Sequence, residues 1–366
     1  MTGKLCFVSL SSYPLLAGED LGYVGGAEVQ QVLLARELIK HNYQVTFVTY
    51  GNGSSSVEYL GGIEVIKTYK RENVAGLSLL AKAGALWRAM KKAGADIYFH
   101  EAGAAGAVAL FCFLRRRKFV HYIPSDANVS RELAQANVNL YQRVANWLDI
   151  RLAEEVVCQS EFQKRKLEDN FGRRGRVIKN AFPISEGPVP EKTRPPVVLW
   201  VATINEVKQP ELLIELAGAL PEAKLQMVGG LGDSEDFYNR IKEAAAKIPN
   251  LEFTGFVPFH RVEAYFKKAS IFVSTSKYEG FSNTFIQAWA NYMPVVSLYS
   301  DPDGIIGKHK LGFHAETFGR LVTDIKILLE NQELREEMGG NGRRYVTREH
   351  DIATVVDKYM ELFSRL

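Results

Sequence analysis

Fifteen residues near the middle of the chain, Phe182 to Pro196, include five prolines. Neither a helix nor an interior strand tolerates that density, because proline fixes φ and removes a backbone donor. On either side of this segment one pattern runs: short apolar stretches of strand length alternate with longer stretches of helical period. Before it, strands are predicted over Leu5–Leu10, Gln44–Thr49, Ile63–Lys67, Asp96–His100, Phe119–Tyr122 and Glu155–Cys158. Helices are predicted between most of them, over Ala27–Lys40, Leu77–Lys92 and Asn137–Leu152. After it come Val197–Val201, Lys224–Val228, Leu251–Thr254, Ile271–Ser274 and Val295–Leu298, with helices from Pro210 and near Phe237–Lys247. Such alternation builds parallel sheets wrapped by helices. Two series and a proline-rich joint predict an α/β protein of two Rossmann-like lobes. At 366 residues the chain is also longer than one core usually serves. A last helix, from about Asp351, shows an apolar stripe of Val355, Val356, Tyr359, Met360, Leu362 and Phe363, which requires a surface to pack on.

Charge narrows the partners. Lys and Arg number 45 against 42 Asp and Glu, too near balance to point to nucleic acid. The excess is uneven, +7 over residues 1–180 and −4 over the rest. Arg115, Arg116, Arg117 and Lys118, with Arg173, Arg174 and Arg176, supply much of it. These runs read either as solvated loop ends or as attraction to an anionic surface, such as a membrane carrying a lipid-linked acceptor. Cys6, Cys112 and Cys158 are odd in number and lack CxxC spacing, which argues against a disulfide framework and a zinc site. No signal-peptide pattern or ~20-residue apolar run is present. The expected location is cytoplasmic, with any membrane contact peripheral, at the inner surface and through the N-terminal lobe.

Open parallel sheets bind ligands beyond the carboxyl ends of their strands, so the strand-to-helix loops carry the candidates. The first holds Gly22, Gly25 and Gly26 before a helix opened by Ala27 and Glu28. Glycines there let backbone amides approach an acceptor or a phosphate, but the GxGxxG spacing of a dinucleotide site is missing. The second runs from Val198 to Lys208, whose ammonium can reach a diphosphate near the next helix start. The third is Tyr278-Glu-Gly-Phe-Ser-Asn283, leading into a helix with Gln287 inside. Glu279 in the turn suits sugar hydroxyls, and Ser282 and Asn283 at the expected N-cap put backbone amides within reach of a phosphate.

Glu279-Gly-Phe-Ser-Asn283, with Ala288 and Pro294-Val-Val296, resembles the signature of retaining glycosyltransferases of the GT-B fold, in the large glycosyltransferase family 4, or glycosyl transferases group 1. The glycine pair with Glu28, the Lys208 loop, Met227-Val-Gly-Gly230 and Phe253-Thr-Gly-Phe-Val257 follow the family's order. The resemblance implies two Rossmann-like lobes with parallel sheets facing a central cleft. Residues 1–184 would form the acceptor domain and 185–348 the nucleotide-sugar domain, with 349–366 crossing back as a helix onto the first. It implies no metal and no cofactor, a UDP- or GDP-sugar donor, and a glycan or lipid-linked saccharide as acceptor.

Lys208 would then contact the diphosphate, Glu279 would accept hydrogen bonds from sugar hydroxyls, and His121 would sit beside the reacting sugar, with His100 the weaker alternative. Thr203, Asn205, Phe256, Val257, Gly280, Phe281, Ser282, Asn283 and Gln287 would complete the donor site, with Phe256 and Val257 lining the base. Gly25, Gly26 and Glu28 would serve the acceptor. Four positions depart from the family pattern. Ala202 and Thr203 stand for a usual Gly-Arg, Gln287 for a second Glu, and Tyr292 for a Gly before Pro. They leave a second reading in play, a degenerate homologue that binds sugar nucleotides or regulates a partner enzyme. Asp301-Pro-Asp303 resembles a metal-binding DxD, but its setting marks it as loop chemistry.

Overall fold

The computed structural model describes residues 3–19, 25–51, 56–70, 79–101, 106–130, 140–232 and 234–366. Gly22 of the first loop lies outside them. The first of two compact units comprises Gly25–Ala181, Ile352–Leu366 and the N-terminal stretch through Glu19; the second is Phe182–Asp351.

The first unit is built on eight strands: β1 (Lys4–Val8), β2 (Gln44–Thr49), β3 (Val57–Leu60), β4 (Ile63–Lys67), β5 (Ile97–His100), β6 (Lys118–Tyr122), β7 (Glu155–Cys158) and β8 (Arg176–Val177). Their order is β3-β4-β2-β1-β5-β6-β7-β8, parallel throughout except for the β3–β4 hairpin. The apolar runs are continuous because both faces of the sheet are covered. Cys6 and Val8 point into one layer, with the helices Leu79–Ala93, Ala107–Arg115 and Leu140–Leu152. Leu5 and Phe7 point into the other, where Phe7 stacks on Phe47 at 5.0 Å. The helix Gly26–Lys40 closes that second layer together with the last helix, Ile352–Ser364. Tyr359 meets Phe99 at 5.9 Å and Phe363 meets Tyr43 at 6.4 Å, so the C-terminal stripe is core of the first unit. Gln30 fastens the end of this unit, donating to the Ala181 carbonyl and accepting from the Ala181 amide.

The second unit has six parallel strands: β9 (Val197–Val201), β10 (Lys224–Val228), β11 (Leu251–Gly255), β12 (Ile271–Ser274), β13 (Val295–Ser297) and β14 (Gly312–His314). The order is β11-β10-β9-β12-β13-β14. The proline-rich segment is laid on this unit rather than strung free. The Phe182 amide donates to the His350 carbonyl, and Ile184 packs in the core. Farther along, the Lys192 ammonium donates to the carbonyls of Phe266 and Asn291.

Strand order reverses between β1 and β5 in the first sheet and between β9 and β12 in the second. At such a switch point the two flanking loops diverge to opposite faces and leave a crevice at the strand ends.

Candidate active site

The loop after β9 is shaped by its neighbour. The Ala202 amide donates to Val228 and the Ile204 amide to Gly230, carrying the ladder past the ends of β9 and β10. A Cβ on Gly229 would come within 2.1 Å of the Ala202 carbonyl, so glycine is the residue that lets these two loops touch. Half-buried Thr203 follows, then Asn205, whose Oδ1 accepts from the Lys208 amide at 3.1 Å. That bond turns the chain and presents Lys208 just before the helix Pro210–Ala219.

A buried relay holds this loop against β12. Trp200 Nε1 donates to Thr275 Oγ1 at 2.9 Å, and Thr275 Oγ1 donates to the Lys208 carbonyl at 2.7 Å. Trp200 and Thr275 are almost fully buried, so each bond satisfies groups that have no access to water. Next along, the Lys277 amide donates to the Val207 carbonyl. Across the crevice from Lys208 comes Glu279, and the two side chains form an ion pair. The pair is partly open to solvent. Two residues 71 apart in the chain thus meet at the switch point of the second sheet.

After Glu279 the chain passes Gly280 and buries Phe281, which lies 4.6 Å from the His350 ring. Ser282 is the N-cap residue of the helix Asn283–Ala290, as the sequence implied, but its hydroxyl does not cap. Ser282 Oγ bonds Thr284 Oγ1 at 2.8 Å instead, two hydroxyls competing successfully with the first-turn amides. Gln287 is buried inside that helix. Phe256 and Val257 stand apart from this group, half-buried after β11 at the far edge of the sheet.

Tyr292 adopts φ 58, the left-handed region that glycine occupies without strain, and this explains why a glycine is usual there. Arg343 covers the Tyr292 ring at 5.5 Å. Asp301 caps a short helix, its Oδ1 accepting from the Ile306 amide at 2.9 Å. Asp303 lies within that turn with φ 55. The DxD is therefore a turn motif in this chain. Among the described residues no group of three or more His, Cys, Asp or Glu is placed to hold a metal ion.

The crevice of the first sheet is different in kind. Gly25 is the N-cap of the Gly26–Lys40 helix, and the Glu28 carboxylate occupies the space a Gly25 side chain would need. Beside it lies Glu101, directly after β5, 9% exposed. Burial pushes the Glu101 carboxyl well above the usual carboxylate range, and the Glu28 charge pushes the same way. Glu101 was not singled out from the sequence, although a lone acid ending an apolar strand at a switch point was the available signal. His100 donates from Nδ1 to the Val8 carbonyl at 2.7 Å, which ties β5 to β1 and gives it a structural role. His121 pairs with His100 in register and is 1% exposed, one residue short of the strand end and deeper than the sequence suggested. Burial, and then the neighbouring His100, lower His121 to about 3, so the imidazole is neutral and offers one donor and one acceptor.

Comparison with known proteins agrees with the two-lobed fold. The pattern of glycosyl transferases group 1 matches residues 183–345, and that of glycosyltransferase family 4 matches residues 24–186. An uncharacterised glycosyltransferase of Methanocaldococcus jannaschii is 21% identical over 335 residues, covering 88% of this chain and 90% of that one. Among solved structures, sucrose-phosphate synthase of Thermosynechococcus elongatus superposes with a TM-score of 0.84 at 17% identity, over 99% of this chain and 98% of that one. HepE of Anabaena, solved with UDP and glucose, gives 0.74 at 18% identity over the whole of both chains.

Proposed function

The chain belongs to the glycosyl transferases group 1 of glycosyltransferase family 4 and has their GT-B fold, and from that premise we propose that it is a retaining, metal-independent transferase using a UDP- or GDP-sugar. The observation that carries this reading is the Lys208–Glu279 ion pair at the β9/β12 switch point. A nucleoside diphosphate entering there competes with Glu279 for the ammonium, while the sugar hydroxyls take over the carboxylate as donors to it. Both charges thus have a partner before and after binding. As the sugar–phosphate bond breaks, negative charge grows on the diphosphate, and Lys208 with the start of the Asn283–Ala290 helix stabilises it. Thr203, Asn205, Gly280, Phe281 and Gln287 shape the donor side in this reading, and Phe256 and Val257 line the base.

The first unit supplies the acceptor side. Glu28 already occupies the helix start at Gly25 and Gly26, which disfavours a phosphate there and favours hydroxyl donors instead. A glycan or lipid-linked saccharide hydroxyl fits that chemistry, with neutral His121 beside the reacting sugar. UDP is the first nucleotide to test, since HepE was solved with it.

The experiment is consumption of a panel of UDP- and GDP-sugars in the presence of EDTA, with and without candidate acceptors. At least one donor should be consumed. Consumption that requires Mn²⁺ would contradict the metal-independent reading. Binding without consumption, with activity gained by Thr203→Arg together with Gln287→Glu, would establish a degenerate homologue.

A further inference from the structure

The helix Ala107–Arg115 is apolar all round, a composition that normally means burial on every side. Here only one side is buried, through Val108, Ala109, Phe111 and Cys112. Leu110, Phe113 and Leu114, at one-turn spacing, are 46%, 64% and 58% exposed. The helix Leu140–Leu152 packs beside it, with the Gly106 backbone against Ala145 and Leu148. It too turns an apolar face outward: Leu140, Tyr141, Val144 and Trp147 are all exposed. Among the described residues, exposed large apolar side chains elsewhere are scattered singly and call for no explanation. Seven on two touching helices do.

The exposed charge carried by these two helices and the Arg115–Lys118 run has one sign, and the exposed acid Asp96 is paired with Arg117 at 3.3 Å. Arg115, Arg116 and Lys118 follow Leu114 directly, Arg143 lies between Tyr141 and Val144, and Arg151 lies one turn beyond Trp147; all five are exposed. Residues 107–118 contain no acid, and the one acid of the second helix, Asp149, is buried. Leucine and aromatic side chains interleaved with Arg and Lys match the boundary of a bilayer, where apolar groups enter the acyl region and cations stay with anionic headgroups.

We propose that the outer face of the helices Ala107–Arg115 and Leu140–Leu152 docks on an anionic lipid surface. The proposal extends the transferase reading by naming the partner of its acceptor-side unit, and it rests on that reading only for its purpose, delivery of a lipid-linked acceptor.

Trp147 is a built-in reporter, since Trp200 and Trp289 are buried and Trp87 packs against Phe111 at 4.9 Å. The full chain is mixed with vesicles of equal parts phosphatidylglycerol and phosphatidylcholine, or of phosphatidylcholine alone, and followed by sedimentation and tryptophan emission. It should sediment with the anionic vesicles, more weakly as salt rises, and Trp147 emission should shift to the blue. Arg115→Glu, Arg116→Glu and Lys118→Glu together should weaken binding about a hundredfold. Phe113→Ser with Trp147→Ser should abolish it by a change that leaves charge alone. Both variants should keep the melting temperature and the vesicle-free donor consumption of the parent. No sedimentation, or sedimentation that ignores these substitutions, overturns the proposal. So does concentration-dependent dimerisation that Phe113→Ser removes, which would assign the face to a second copy. If vesicle binding holds while no nucleotide-sugar is consumed, docking stands and the transferase reading falls.

Discussion

The two switch points occupy equivalent places in two similar sheets, yet their chemistry is opposite. Between β9 and β12 the second unit exposes a formal cation and a formal anion, Lys208 and Glu279, held in register by the Trp200–Thr275 relay. Between β1 and β5 the first unit buries its polar groups, and burial disfavours their charged forms: His100 and His121 fall to about 4 and about 3, and Glu101 rises. A crevice with a partly exposed ion pair can exchange partners with a diphosphate. One with neutral donors and acceptors suits hydroxyls. The same topology thus carries two different chemistries, and burial is a large part of what separates them.

Ending the chain at His350 should separate the two units most sharply. It removes Val355, Val356, Tyr359, Leu362 and Phe363 from the first core and leaves the second unit's sheet untouched. At ~1.5–3 kcal/mol for each buried side chain the loss is on the order of 10 kcal/mol, comparable to the stability of a whole domain. Hydrogen exchange should then find β1 and β5 unprotected while β9 and β12 keep protection. Full protection in β1 would break the division of the molecule described here.

A smaller effect should separate the units by pH. Asp149, behind the exposed helix face, is raised by burial to about 7. A carboxyl whose folded value lies above its unfolded value contributes stability below about pH 4 that is lost as pH rises through 7. The loss amounts to about 4 kcal/mol for a shift of this size. Asp149→Asn should therefore raise the melting temperature of the first unit at pH 8 and leave it unchanged near pH 4. Equal effects at both pH values would show that packing, not charge, governs the site.

Next in size, His121→Ala should cut turnover by about a hundredfold, the scale of a lost transition-state contact. Nucleotide affinity should be nearly intact, because the nucleotide is assigned to the other unit. Equal losses in binding and turnover would move His121 out of the acceptor side.

Much of this was legible in the chain. Gln44–Thr49, Ile63–Lys67, Glu155–Cys158, Val197–Val201, Lys224–Val228 and Ile271–Ser274 are strands with the predicted bounds, because each is a run buried on both faces. The strands not foreseen lack that signal. β3 is an antiparallel edge strand with mostly half-buried residues, β8 is two residues long, and β14 opens on Gly312, which has no side chain to pattern. In the second unit the motif Glu279-Gly-Phe-Ser-Asn could be read locally, since turn, cap and acid are contiguous. Its meeting with Lys208 depended on sheet order, which spacing does not contain. The first unit's site was harder. The depth of His121 and the upward shift of the Glu101 carboxyl are set by neighbouring strands and by the helix Gly26–Lys40, and no local pattern records them.

Titration of UDP into the protein by calorimetry, in EDTA, compares Lys208→Ala with the parent and tests the central claim most directly. Removing a charge-assisted contact worth ~1.5–3 kcal/mol should weaken binding roughly tenfold to a hundredfold, with the melting temperature of the free variant close to that of the parent. GDP should be titrated in parallel where UDP gives no heat. Binding by Lys208→Ala as tight as the parent's, or binding by the parent only when a divalent metal is added, would contradict a diphosphate site built on Lys208.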